Sequence, residues 1–335
     1  MAEQIKNHAE IRPYVNSLNF SKALNSAAGL NSGINKILNL AKHYNPIDTL
    51  AYIEATVNNI IIATCDEDRN GTNAAFLNAT KIYYPIYIYY ICIPNTNNNN
   101  IISQNNMKLE NRNDIVNYIL AGDGIYVYNR LNYTSCSAGF WAKARFLQNT
   151  NFIVTAGHCY RLNASYYLFP WNATEVGDYI GKMFLHYLSP MDFGLIHMSS
   201  NVKPVANIRN TDSKEYPQLI IKDHIVVSSN GAHLCISGFH AHVKCGYVKA
   251  LSGFTTVDGK EYNETIFVVS MQARKGDSGG PVFSYNQDLI HASLNGILKG
   301  GFGYDINGDI NNAIIIITPI DLILNKSAIN VVTIT

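Results

Sequence analysis

Three short segments of the chain carry side chains suited to acyl transfer. They are Thr155-Ala156-Gly157-His158-Cys159, Met191-Asp192-Phe193-Gly194-Leu195 and Gly276-Asp277-Ser278-Gly279-Gly280-Pro281. Acyl transfer needs a nucleophile, a base that takes its proton, and a group that orients and stabilises the charged base. Ser278, His158 and Asp192 supply those three types. The glycines around Ser278 let the backbone turn sharply, so the N–H groups of Gly276 and Ser278 can converge on one developing oxyanion. Taken singly, each residue has a plainer reading. His158 is one of ten histidines. Asp192 has a competitor in Asp178, and a GDSGG segment can be an ordinary glycine-rich turn. Their joint occurrence is what carries the chemical signal.

The same serine also satisfies the G-x-S-x-G pattern of the nucleophile elbow. That architecture needs the order serine, acid, histidine on a strand, elbow and helix. After Ser278 there is one histidine, His291, with Asp288 the one acid between them. This spacing leaves no room for intervening elements, and Ser278 is followed by strand-like PVFSY. The elbow reading fails on both counts.

The elements that must position these residues are strands. From about Asp114, short β-rich runs alternate with Gly, Asn and Asp turns: GIYVY, FWAKARFL, NFIVTA, DFGLIHM, HIVVSS, KCGYVKA, TIFVVS, GGPVFS and NAIIIITP. Many short strands without long helical periods predict an all-β sandwich or barrel. Upstream the texture differs. Ser17 to Lys42 reads as one or two weakly amphipathic helices, Ala51 to Ala63 as strand, turn at Asn58-Asn59, strand, and Ile82 to Ile93 as another strand. Asn95 to Asn106 is polar and of low complexity. It cannot offset its ordering entropy by burial and reads as a linker. A small α+β unit, residues 1–106, therefore precedes an all-β domain, residues 115–335.

Composition bounds the function classes. The 335 residues are 47% hydrophobic and 15% charged with a formal net charge of +1, which suits a sizeable core. No basic stripe, acidic excess or P-loop argues for nucleic acid or an anionic membrane. The run Ile82 to Ile93 is interrupted by Pro85 and too short to span a bilayer. Histidines do not stand in ligand spacing with acids or cysteines, so no metal and no cofactor are implied. The cysteines Cys65, Cys92, Cys136, Cys159, Cys235 and Cys245 fall into consecutive pairs without a CxxC. That fits either disulfides in an oxidising compartment or six buried thiols. Sequons at Asn19, Asn70, Asn78, Asn132, Asn163, Asn172, Asn263 and Asn325 add little in so Asn-rich a chain. Met1 to Asn45 shows no continuous apolar core of a signal peptide.

The segments TAGHC, DFGL and GDSGGP, in that order, resemble the triad motifs of chymotrypsin-like serine proteases. The similar branch is the microbial one that includes streptogrisins and alpha-lytic protease. Ala121-Gly122-Asp123-Gly124-Ile125 with Cys136-Ser137-Ala138-Gly139-Phe140 resembles that branch's start. Leu234 to Gly238 with Lys244-Cys245-Gly246 resembles its CxSG…CG hairpin, and Gly296 to Gly301 its cleft-lining strand. The resemblance covers about Gly122 to Leu324. It implies two six-stranded antiparallel β-barrels with the active site between them. It further implies a secreted, monomeric serine endopeptidase acting on polypeptides through an acyl-enzyme on Ser278. His158 would be its base and acid, Asp192 would orient His158, and Gly276 and Ser278 would form the oxyanion hole. Disulfides Cys136–Cys159 and Cys235–Cys245 are expected, leaving Cys65–Cys92. More faintly, Ala51 to Ala63 followed by Asn73-Ala74-Ala75-Phe76-Leu77 is similar to the end of that branch's pro-region, which assists folding and then occupies the cleft as an intramolecular inhibitor.

Two departures bear on activity. Lys299 stands where the branch usually has a serine that helps hold the triad aspartate, and Met271 to Lys275 lacks the cysteine that often staples the specificity pocket. That pocket is expected around Gln272, Lys299, Gly300 and Gly301. Gln272 stands where a trypsin-like enzyme would carry its acid, while Arg274, Lys275, Lys299 and His291 supply nearby positive charge. The expected preference is apolar, or Glu, before the scissile bond. The alternative function is a weak or inactive homologue that keeps the fold for binding or adhesion.

Overall fold

A run of alternating inward and outward side chains closes into a barrel only where every strand finds two neighbours. The computed structural model describes residues 2–17, 22–92, 118–130, 132–146, 149–258, 262–302 and 313–334. In it, Gly124–Tyr128 pairs with Tyr133–Ser137 on one side and Ser165–Phe169 on the other. The sheet continues through Tyr179–Tyr187, Phe193–Met198, Asn151–Thr155 and Phe140–Ala144. Tyr133–Ser137 and Phe140–Ala144 are two halves of one run bent at Ala138-Gly139. One half closes one edge of the sheet and the other half closes the opposite edge. Ile125, Val127, Ile153, Tyr166, Leu168 and Ile196 fill the interior.

The second barrel runs Pro281–Tyr285, His233–Gly238, His242–Ala250, Phe267–Ser270, Ile314–Pro319 and His291–Phe302. The last strand pairs back to the first, and all six pairings are antiparallel. Leu234, Ile236, Val248, Val269, Val282 and Ile317 form its core. Gln218–His224, Lys203–Arg209 and Tyr118–Ala121 extend this sheet from His291–Phe302. Between the barrels lies a joint cluster in which Phe140, Val154 and Phe193 of the first meet Phe283, Leu294 and Ile297 of the second. The expected all-β, two-barrel architecture is therefore present.

The residues before the linker form a separate layer on the second barrel. Strands Ile47–Glu54, Asn59–Cys65 and Ile86–Tyr90 make a sheet that Gly253–Asp258 of the second barrel joins, with Ala51 opposite Phe254 and Thr49 opposite Thr256. Strand periodicity decides the two faces. Ala51, Ile60 and Ile62 meet the helix Ala27–Tyr44 through Leu30, Ile37 and Ala41. Leu50, Tyr52, Ile61 and Ala63 face the other way, onto Val268, Phe302, Ile314 and Ile316. A Lys249–Glu54 ion pair at 2.9 Å and a Lys42–Glu264 pair fasten the rim.

Three local readings change. The strand read over Ile82 to Ile93 is Ile86–Tyr90, because Lys81–Tyr83 forms a 3-10 turn, Tyr84 takes a left-handed conformation and Pro85 offers no N–H. The HIVVSS segment is not a strand. The strand is Gln218–His224, which buries Leu219 and Ile221 alternately, while Ile225 and Val226 beyond it are exposed. Among the described residues of Ser17 to Lys42, the helical reading narrows to one α-helix, Ala27–Tyr44, capped by the Ser26 hydroxyl accepting from the Gly29 N–H. The linker Asn95 to Asn106 lies outside the described residues.

The shared core has a measurable consequence. Ile316→Ala empties a site buried between the second barrel and the N-terminal layer and is expected to cost about 2–5 kcal/mol. Ile86→Ala, at an exposed position, is expected to cost less than about 1 kcal/mol. Urea midpoints of the two variants check the contrast.

Candidate active site

His158 sits in a single 3-10 turn, Gly157–Cys159, directly after the strand Asn151–Thr155. The turn lies hard against the neighbouring strand. A Cβ at Gly157 would collide with the Tyr187 carbonyl, so glycine is required there. The Cys136–Cys159 disulfide anchors the end of the turn to the adjacent strand. Asp192 precedes Phe193–Met198, the strand that pairs with Asn151–Thr155, which brings the two residues together. The His158 Nδ1 lies 2.6 Å from Asp192 Oδ2, and the His158 main-chain N–H donates to Oδ1 at 3.0 Å. One carboxylate thus fixes both the ring and the backbone of the histidine. An ionised carboxylate can only accept, so Nδ1 carries the proton and Nε2 is left as the basic nitrogen.

Asp192 is buried and His158 partly exposed. Burial alone would push the Asp192 carboxyl up. The charge of His158, its hydrogen bonds and the charge of Lys299 together outweigh burial and hold it below the usual carboxylate range. The Thr318 hydroxyl donates to the Asp192 carbonyl at 2.9 Å, tying this segment to the second barrel.

Ser278 lies in the loop between Phe267–Ser270 and Pro281–Tyr285. The loop is shaped by the buried Asp277, whose carboxylate accepts the N–H groups of Arg274 at 2.6 Å, His240 at 2.7 Å and Ala241 at 3.0 Å. Gly276 has φ +103°, a conformation that glycine adopts without strain. Its carbonyl accepts from the Ser137 hydroxyl at 2.9 Å, and the Ser278 carbonyl accepts from the Ser137 N–H at 2.8 Å. Gly279 packs on Thr155 and Ala156. The main chain at Ser278 is therefore held against the turn that bears His158. The N–H groups of Asp277, Gly279 and Gly280 donate to Arg274, Leu298 and Asp277 carbonyls. Among the described residues, neither the Gly276 nor the Ser278 N–H has an acceptor, which is the disposition an oxyanion hole requires.

The residues read as a specificity pocket divide. Gln272 is partly buried ahead of the serine loop, and Gly300 and Gly301 are partly buried on the strand His291–Phe302. Lys299 is buried and its charge acts on Asp192. His291 does not belong to this group. It begins the strand that Gly300 nearly ends, about 30 Å away at strand spacing, and its ring pairs with Asp288. Arg274 and Lys275 are exposed.

All three cysteine pairs are disulfides: Cys65–Cys92, Cys136–Cys159 and Cys235–Cys245. Each cluster of metal-binding residue types among the described residues includes one of these bonded cysteines. The supporting roles of Ser137, His240 and Thr318 are not legible in the sequence: Ser137 and Thr318 lie inside the segments CSAGF and NAIIIITP, but a hydroxyl that bridges distant strands, like the His240 main-chain N–H, leaves no periodic or charged signature.

The fold is shared with solved structures. Thermobifida fusca Protease A is 19% identical, with a TM-score of 0.51 over 64% of this chain and 99% of its own. A glutamic-acid-specific serine protease, described as using a histidine triad in substrate binding, is 20% identical, with a TM-score of 0.51 over 64% of this chain and all of its own. No curated protein matches the sequence. Residues 133–325 match the trypsin family; they make up more than half of the chain and include His158, Asp192 and Ser278, and the chain belongs to that family.

Proposed function

We propose that this protein is a secreted serine endopeptidase in which Ser278 attacks the peptide carbonyl. His158 takes its proton and later gives it to the leaving amine. Asp192 orients the imidazole and stabilises it when charged. The N–H groups of Gly276 and Ser278 receive the oxyanion. The observation that carries this reading is the doubly bonded His158–Asp192 pair beside a serine loop whose turn directs two N–H groups away from internal acceptors. The disulfides support export, since such bonds persist in oxidising compartments.

The N-terminal layer is read as a pro-region and intramolecular inhibitor, with the protease domain starting near residue 115. Its sheet takes in Gly253–Asp258 of the second barrel, and its inner face shares a core with that barrel. A foldase that templates the slow, non-local pairing of a barrel would use such contacts. The residue before the scissile bond is read as apolar, with Glu as the second preference. No acid lies between Phe267 and Gly276 to receive a lysine or arginine, and a buried cation without a partner is costly.

Three outcomes follow. Ser278→Ala and His158→Ala each lower kcat on a peptide ester, on the order of 10⁶-fold because the two act as a unit, while the circular dichroism spectrum is kept. Robust turnover by purified Ser278→Ala protein would overturn the assignment. Secreted material is expected to be cleaved between about Asn95 and Gly122, with activity rising as the N-terminal layer is degraded; N-terminal sequencing alongside activity checks this. Profiling on a peptide library should show poor cleavage after Lys or Arg, and a dominant basic preference would mean the pocket is built elsewhere.

A further inference from the structure

We infer that Asn263 is a positioning residue for Asp192, and that the end of the N-terminal helix Ala27–Tyr44 grips the segment that carries Asn263. The inference rests on the proposed catalytic roles and names what ties the acid to the second barrel.

Asp192 is the last residue of a hairpin loop. Tyr187 stands opposite Phe193 in the first barrel, so Leu188 to Asp192 leave the sheet together. The segment Tyr262 to Glu264, which leads into the second barrel, holds that loop residue by residue. The Asn263 side-chain Nδ2 donates to the Leu188 carbonyl at 2.9 Å. The Ser189 hydroxyl donates to the Tyr262 carbonyl at 2.8 Å, and the Glu264 N–H donates to the Pro190 carbonyl at 3.3 Å. At the far end of the loop, Thr318 holds Asp192 itself. The loop thus belongs to the first barrel by sequence and to the second by its bonds. Ser278 stands between strands of the second barrel. These bonds therefore set where the His158–Asp192 pair lies relative to the serine, and misplacement of such groups is costly in rate.

Asn263 contributes most of this hold. Its side chain is fully buried, while Ser189 and Pro190 are exposed, so water competes least at the Leu188 carbonyl. Removing the amide leaves a partly buried acceptor without its donor. Asn263 also heads a sequon, Asn263-Glu264-Thr265, but its Nδ2 is engaged inside the molecule and is not open to a glycan. Strand alternation turns Tyr262 and Glu264 the opposite way, onto the end of the N-terminal helix. The Tyr262 hydroxyl lies 3.1 Å from the Ala41 carbonyl and 2.9 Å from Asn45 Oδ1, and Lys42 pairs with Glu264. One short segment is thus clasped by the helix on one side and holds the loop of Asp192 on the other.

The test reads the His158–Asp192 bond itself. A proton in a charge-assisted hydrogen bond such as that from His158 Nδ1 to Asp192 Oδ2 is strongly deshielded and gives a separate downfield proton NMR signal. The parent is the full chain with Ser278→Ala, which prevents self-cleavage. Adding Asn263→Ala is expected to broaden the signal or move it upfield. Tyr262→Phe, which keeps Asn263 and loses only the grip of the helix, is expected to do the same to a smaller extent. In the secreted active enzyme, Asn263→Ala is expected to lower kcat on a peptide ester roughly 10- to 100-fold with KM held within about twofold. An unchanged signal in the folded Asn263→Ala protein, or none in its parent, would overturn the inference. So would failure of both Asn263→Ala and Asn263→Leu to fold, which would make Asn263 a structural residue. An unchanged signal in Tyr262→Phe would overturn the part given to the helix. The signal is read in an inactive protein, so absent turnover in the wild-type enzyme would overturn the catalytic reading separately.

Discussion

A carboxylate buried at the seam between two barrels is the interaction on which the rest of this structure depends. Burial would push this carboxyl up, but His158, which meets both of its oxygens, outweighs burial and holds it below the usual carboxylate range. The requirement runs outward. His158 must turn back toward the carboxylate, which needs Gly157 against the Tyr187 carbonyl and the Cys136–Cys159 bond beneath. Asp192 must be held from the other barrel, which the Thr318 hydroxyl does. Because this carboxyl is held below its ordinary range, its stabilising contribution is full at neutral pH. It is lost as pH falls through the folded-state value.

The serine loop meets a similar demand by different means. Asp277 is buried beside Ser278, and its charge is met by three main-chain N–H groups of Arg274, His240 and Ala241. The loop is thus shaped by its own backbone and by Ser137.

How much of this could be read in the sequence varies with the range of the interaction. The triad segments were legible because each packs its chemistry into a few adjacent residues, and the barrels were legible because strands alternate every second residue. Ala51 to Ala63 was legible as a hairpin for the same reason. What escaped was set by tertiary partners. Ile225 and Val226 look like strand interior but extend past the sheet, while the actual strand at Gln218 carries a lysine and an aspartate that mask its alternation. His291 looked like a pocket residue by proximity in sequence, but a strand carries it far from Gly300. Lys299 was visible as a departure from the resembling family. That it is buried, and held by a bulge, depends on a register that no single strand encodes.

If Ser278 is the nucleophile and His158 its base, reaction of the folded protein with a serine-directed fluorophosphonate, followed by peptide mass spectrometry, gives a single adduct on Ser278 that fails to form when His158 is replaced by alanine. An adduct on another residue, or none on the correctly folded protein freed of its N-terminal layer, would rule out those roles.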